Sequence, residues 1–131
     1  SVEADNTYKT EVIIARSFRY RAPAIDYGFL KKISNISFIG LPDEYEDMKK
    51  NIPHLKHIIV KDGLQLAKAI AGCKCFIGNQ SFPFAVAESL KVKRVLEVCY
   101  QTPNVIVEGS NGFDFCFQAQ FEKIINTVLN N

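Results

Sequence analysis

Apolar residues fall along the chain in short runs separated by amphipathic stretches. "EVIIARSF" (11–18) is β-branched and apolar, and "AIDYGFLKKI" (24–33) follows with helical spacing. "ISFIGL" (36–41) is a second buried run, and "PDEYEDMKKNI" (42–52) opens with Pro and acids, as helices do. "HIIV" (57–60) precedes "DGLQLAKAIAGC" (62–73), whose Asp62 suits an N-cap. "CFIGN" (75–79) precedes the helical "SFPFAVAESLKV" (81–92), and "RVLEVC" (94–99) follows it. "NVIVEG" (104–109) supplies a sixth strand or an extended segment. A closing helix in "QAQFEKIINTVLNN" sets Phe121, Ile124, Ile125 and Val128 on one face.

Apolar runs with little alternation are strands buried on both faces, as in parallel sheets covered by helices. Strands alternating with helices form βαβ units with right-handed crossovers. The pattern therefore predicts an α/β fold: a doubly wound, mainly parallel Rossmann-like sheet of five or six strands, helices on both faces. Residues 1–131 form a single domain, with a polar N-terminal segment over 1–10.

Composition narrows the partners. A net charge of +2, with Lys and Arg spread along the chain, argues against nucleic acid. No apolar run approaches the roughly 18 residues a membrane span needs, and "SVEADNTYKTE" lacks a signal-peptide core. The chain begins with Ser1 rather than Met, consistent with processing or with an excised fragment. Cys73, Cys75, Cys99 and Cys116 lie in or beside apolar runs with no second pair at zinc spacing, so buried, reduced thiols and a cytoplasmic setting are expected.

Ligands of open α/β sheets bind beyond the carboxyl ends of the strands. The first end carries Arg16, Ser17, Arg19 and Arg21, whose guanidinium forks suit a phosphate or carboxylate, or else pair with surface acids. The second carries Gly40 and Glu44; the acid is placed to accept from a ribose hydroxyl or to stabilise the following helix N-terminus. Lys61 and Asp62 follow the third. After the fourth, Gly78, Asn79, Gln80 and Ser81 lead into a helix whose first free N–H groups favour an anion, the alternative being an ordinary N-cap. Glu97 and Tyr100 follow the fifth. His54 and His57 fall before or at the third strand, the wrong end for a site, and read as structural or solvated. Walker, G-x-G-x-x-G and G-x-S-x-G motifs are absent, as are the clustered aspartates of a receiver domain and any Asp-x-Asp.

The stretch Gly78 to Val92 resembles the donor-site segment of the ADP-heptose:lipopolysaccharide heptosyltransferases, glycosyltransferase family 9 of the GT-B fold. Against that family's approximate G-N-D-S-G-P-x-H-L-A-A-A-L-G-V-P, the residues Gly78, Asn79, Ser81, Pro83, Ala87, Leu90 and Val92 match without gaps. Gln80 replaces Asp, Phe82 replaces Gly and Ala85 replaces His, departures open to a different donor, a divergent subfamily or a catalytically idle relative. The resemblance implies the C-terminal, donor-nucleotide half of a two-domain bacterial glycosyltransferase of surface-glycan or lipopolysaccharide synthesis. It implies a nucleoside-diphosphate sugar as substrate, no cofactor, metal-independent transfer, and an acceptor domain with the catalytic base outside this chain. The full protein would then be cytoplasmic or peripheral to the inner membrane. Arg16, Ser17, Arg19 and Arg21 would face the diphosphate with the amides near Gln80 and Ser81, while Glu44 and the turn of Lys61 and Asp62 frame base and ribose. Glu88 would substitute in donor binding, or else pair with Lys91 or Lys93. The rival readings are a non-catalytic Rossmann-like binding module and half of a GT-B nucleotide-sugar epimerase.

Overall fold

The computed structural model describes residues 9–99 and 107–130. Six strands form one sheet, β1 (Thr10–Ala15), β2 (Ile36–Phe38), β3 (Lys56–His57), β4 (Cys73–Gly78), β5 (Arg94–Glu97) and β6 (Gly112–Phe115). Their order is β3-β2-β1-β4-β5-β6 and every pairing is parallel. Four helices, α1 (Pro42–Lys49), α2 (Gly63–Ala71), α3 (Phe82–Leu90) and α4 (Gln118–Leu129), complete a doubly wound Rossmann-like α/β fold.

Because both faces are covered, β1 is apolar at consecutive positions. Val12 and Ile14 join Ile36, Phe38, Ile77 and Val95 beneath α1 and α4, which contribute Met48, Phe121, Ile125 and Val128. Ile13 and Ala15 join Phe76 and Leu96 beneath α2 and α3, which contribute Leu66, Ile70, Phe84 and Ala87. Phe115 stacks on Phe121 at 4.0 Å, with Tyr27 and Phe29 edge-on to the same ring, and this aromatic group seats α4.

Three expected elements differ. The helix expected over 24–33 is only a 3₁₀ turn, Gly28–Lys32. Tyr20 and Ala24 adopt left-handed backbone (φ 60° and 59°), Pro23 disfavours helix at its neighbour, and the Asp26 carboxylate takes the Gly28 N–H at 2.7 Å. The third strand stops after two residues: once Ile58 donates to Phe38 the chain leaves this edge of the sheet. The sixth strand is "GFDF" rather than 104–109. Residues 107–109 of that span are not strand, and 104–106 lie outside the described residues.

Candidate nucleotide-binding cleft

The strand order reverses between β1 and β4, and a cleft of about 580 Å³ opens at the carboxyl edge beside that point. Ala15, Arg16 and Ser17 form one wall, and Gly40, Leu41, Pro42 and Glu44 another. The segment from Ile59 to Gly63 closes a third side, and Ser81, Phe82 and Pro83 at the start of α3 close the fourth. Of the expected site residues, Arg16, Ser17, Gly40, Glu44, Lys61 and Ser81 thus meet around one space.

The turn after β4 is shaped by packing. A Cβ on Gly78 would lie 2.5 Å from the Ala15 carbonyl oxygen, so glycine permits the close pairing of β1 with β4. Asn79 is fully buried and works as a clamp. Its Oδ1 accepts from the Ser17 N–H (3.0 Å), and its Nδ2 donates to the carbonyls of Ser17 (3.0 Å) and Arg19 (2.8 Å). Gln80 is buried, and its Oε1 accepts the Cys99 N–H at 3.2 Å. These two residues hold the walls rather than line the cleft. Ser81 is different: it occupies the N-cap of α3, yet its side chain makes no capping bond. Its Oγ is shielded from solvent with no hydrogen-bond partner among the described residues.

The three arginines part company. Arg16 is buried and pairs bidentately with Glu97, Nε to Oε1 at 2.7 Å and Nη2 to Oε2 at 2.8 Å. Glu97 also accepts the Ala22 N–H and the Tyr27 hydroxyl, each at 2.7 Å. Burial, the largest single influence, opposes the Arg16 charge, but the Glu97 bond together with the charges of Tyr27, Glu97 and Asp47 raises the guanidinium above its ordinary value. Burial, reinforced by the Glu97 charge, pushes the Tyr27 phenol well up, so it remains a neutral donor. Arg21 bonds the Ser17 carbonyl and Asp47 (3.0 and 3.1 Å), and Arg19 is exposed above the Tyr20 ring.

The other acids also have local tasks. Glu44 Oε1 accepts the Leu41 N–H at 3.0 Å and so caps α1, while still bordering the cleft. Glu88 lies at the far end of α3, near the amino edge of the sheet, apart from the cleft. Its carboxylate takes Arg94 Nε at 2.6 Å, Lys91 Nζ and the Glu108 N–H. Burial pushes this carboxyl up, but the bonds from Arg94 and Lys91 prevail and bring it to about 2.

Sequence reasoning missed His57 and the apolar rim. His57 reaches the cleft because β3 ends at it. Its ring stacks on Tyr45 at 4.4 Å, and its Nε2 lies 2.9 Å from the Gly40 carbonyl. A carbonyl only accepts, so Nε2 carries the proton. Leu41, Ile59 and Phe82 stand exposed around the mouth. The apolar run through Ile59 and the Leu-Pro pair after β2 were the available signals.

No family model matches the chain, and no curated protein matches it in sequence. In three dimensions it is similar to E. coli ADP-heptose LPS heptosyltransferase II, with a TM-score of 0.61 and 16% sequence identity. The match covers 93% of this chain and 47% of that one, so the chain spans about half the length of that structure. The likeness is one of fold: a Rossmann-like, heptosyltransferase-like arrangement of strands and helices.

Proposed function

We propose that this chain is the donor-binding half of a glycosyltransferase of bacterial surface-glycan or lipopolysaccharide synthesis, and that its cleft holds a nucleoside-diphosphate sugar. The observation that carries the reading is the Ser81 Oγ, unpartnered among the described residues, beside the first-turn amides of α3, at the point where strand order reverses. A diphosphate there accepts from the hydroxyl and the helix amides, with Lys61 and Arg19 as the cations able to approach it. Ribose and base lie against Glu44, His57, Ile59 and Leu41, an apolar wall with a few polar groups. Stabilisation of the leaving diphosphate by these dipoles and cations is the catalytic contribution of this half. The acceptor and the catalytic base belong to a domain outside the chain.

Amide NMR spectra recorded during titration with ADP, UDP and GDP test the reading. Shifts confined to Ser17, the 40–44 turn and the residues around Ser81 are expected, strongest with one base. Ser81→Ala removes a hydrogen bond to a charged group and weakens that nucleotide roughly tenfold. Uniform silence from all three nucleotides would overturn the donor site. It would favour the non-catalytic module, a reading supported by the engagement of Arg16 and Asn79 in internal bonds.

A further inference from the structure

The lysines are spread along the sequence, and the fold gathers them. In an all-parallel sheet every strand begins at one edge, and the helices that connect strands end there. Lys9 precedes β1, and Lys31 and Lys32 close the turn before β2. Lys49 and Lys50 end α1, and Lys56 opens β3. Lys74 is the second residue of β4, and Lys91 and Lys93 lead into β5. Nine of the chain's twelve lysines therefore stand on the amino edge, opposite the cleft, and all nine except Lys93 are exposed.

Contacts join these segments into one strip. His54 Nε2 reaches the Ile33 carbonyl at 2.7 Å, Lys32 Nζ bonds Asn126 at 3.1 Å, and Lys74 Nζ bonds the Leu129 carbonyl at 2.9 Å. The strip follows the starts of five strands, roughly 20 Å at the usual strand spacing. Among the described residues its acids are Glu11, Glu88 and Glu108, and the Glu88 carboxylate is already held by Arg94 and Lys91. Lysines at helix ends complement helix dipoles, but Lys9, Lys31, Lys32, Lys56, Lys74 and Lys93 do not stand at the ends of α-helices.

We infer that this edge docks on an anionic lipid surface through charge alone. Among the described residues the large exposed apolar side chains, Phe18, Leu41, Ile59, Leu64, Phe82 and Phe117, all belong to the opposite edge, so no described side chain of the strip is a large exposed apolar group that could insert into lipid or stack on bases. Arg94, the arginine of this edge, is buried and paired, so no guanidinium fork is offered to a nucleic-acid backbone. Mobile lysine ammonium groups suit a fluid, laterally diffuse negative surface. Docked this way, the chain turns its cleft away from the bilayer. The inference does not depend on what the cleft binds.

Co-sedimentation of the 131-residue chain with vesicles tests it, using phosphatidylcholine with and without phosphatidylglycerol at low and high salt. Binding only to the anionic vesicles, released by salt, is expected. Each lysine near such a surface strengthens partitioning roughly fivefold. Lys31→Gln with Lys32→Gln should therefore lower it roughly 25-fold, while Lys123→Glu, the same change in net charge on α4, leaves it within about twofold. Circular dichroism confirms that each variant is folded. No binding to anionic vesicles, indifference to salt, or equal effects of the two variants would overturn the inference. Tighter binding of an oligonucleotide at the same salt would overturn the lipid assignment in favour of nucleic acid.

Discussion

Glu97 shows how much of a site is spent on holding itself. One carboxylate collects the Arg16 fork, the Ala22 N–H and the Tyr27 hydroxyl, and so pins both ends of the loop that walls the cleft. Glu97→Gln leaves the Arg16 charge buried without a counter-charge and should cost about 3–5 kcal/mol in urea unfolding. Arg16→Met in the same chain should recover much of that loss, because the orphaned charge is gone. Failure of the second change to compensate would show that the hydrogen bonds, not the charges, carry the stability. Sequence reading placed Arg16 correctly at the end of a strand but had no means of seeing its partner, which lies 81 residues away. Gly78 belongs to the same scale. Gly78→Ala sets a methyl group 2.5 Å from the Ala15 carbonyl, and a loss of about 1–3 kcal/mol is expected from the same unfolding measurement.

Among the elements, those read well from sequence bury an unbroken apolar run or carry a helix signature. β1, β4 and β5, α2 with its Asp62 cap, and α3 with Ser81 at its N-cap all fall within a few residues of their expected places. Elements that depend on a distant partner were read poorly. β6 has a Gly and an Asp in four residues and is strand because Arg94 to Glu97 pairs with it. The segment over 24–33 has helical spacing but backbone geometry that interrupts a helix. Glu88 ties α3 to β5 through Arg94. Its carboxyl is held at about 2 against an ordinary 4.5, so its contribution is complete above about pH 4.5 and is lost as pH falls through about 2. Glu88→Gln should flatten the stability profile in that interval and leave the neutral-to-alkaline profile unchanged in shape. An unchanged acid limb would mean that other carboxylates govern acid unfolding.

At the scale of the molecule, one edge of the sheet carries the cleft with its apolar rim, and the other carries the lysines. Between them the strands are buried on both faces. Burial pushes the Cys73 thiol up to about 12 and the Cys75 thiol higher still. At mildly alkaline pH a thiol reagent should modify Cys75 only as fast as the whole sheet opens. Modification faster than global amide exchange would reveal local opening of β4. This separation of the two edges was invisible in a net charge of +2, because it arises from chain direction rather than from composition.

The pairing of β1 with β4 also bears on how the molecule is made. The other strand pairs join residues about two dozen positions apart or fewer, whereas Ala15 lies opposite Gly78, 63 positions on. Closing that longer loop costs about 1 kcal/mol more in chain entropy. Two half-sheets, β1-β2-β3 and β4-β5-β6, thus have the means to form first, with the central seam zipping afterwards. Until it does, two apolar strands that end up fully shielded present open edges, so refolding yield should fall as chain concentration rises. A ligand of the cleft arrives after that hazard has passed. It slows unfolding without rescuing the yield.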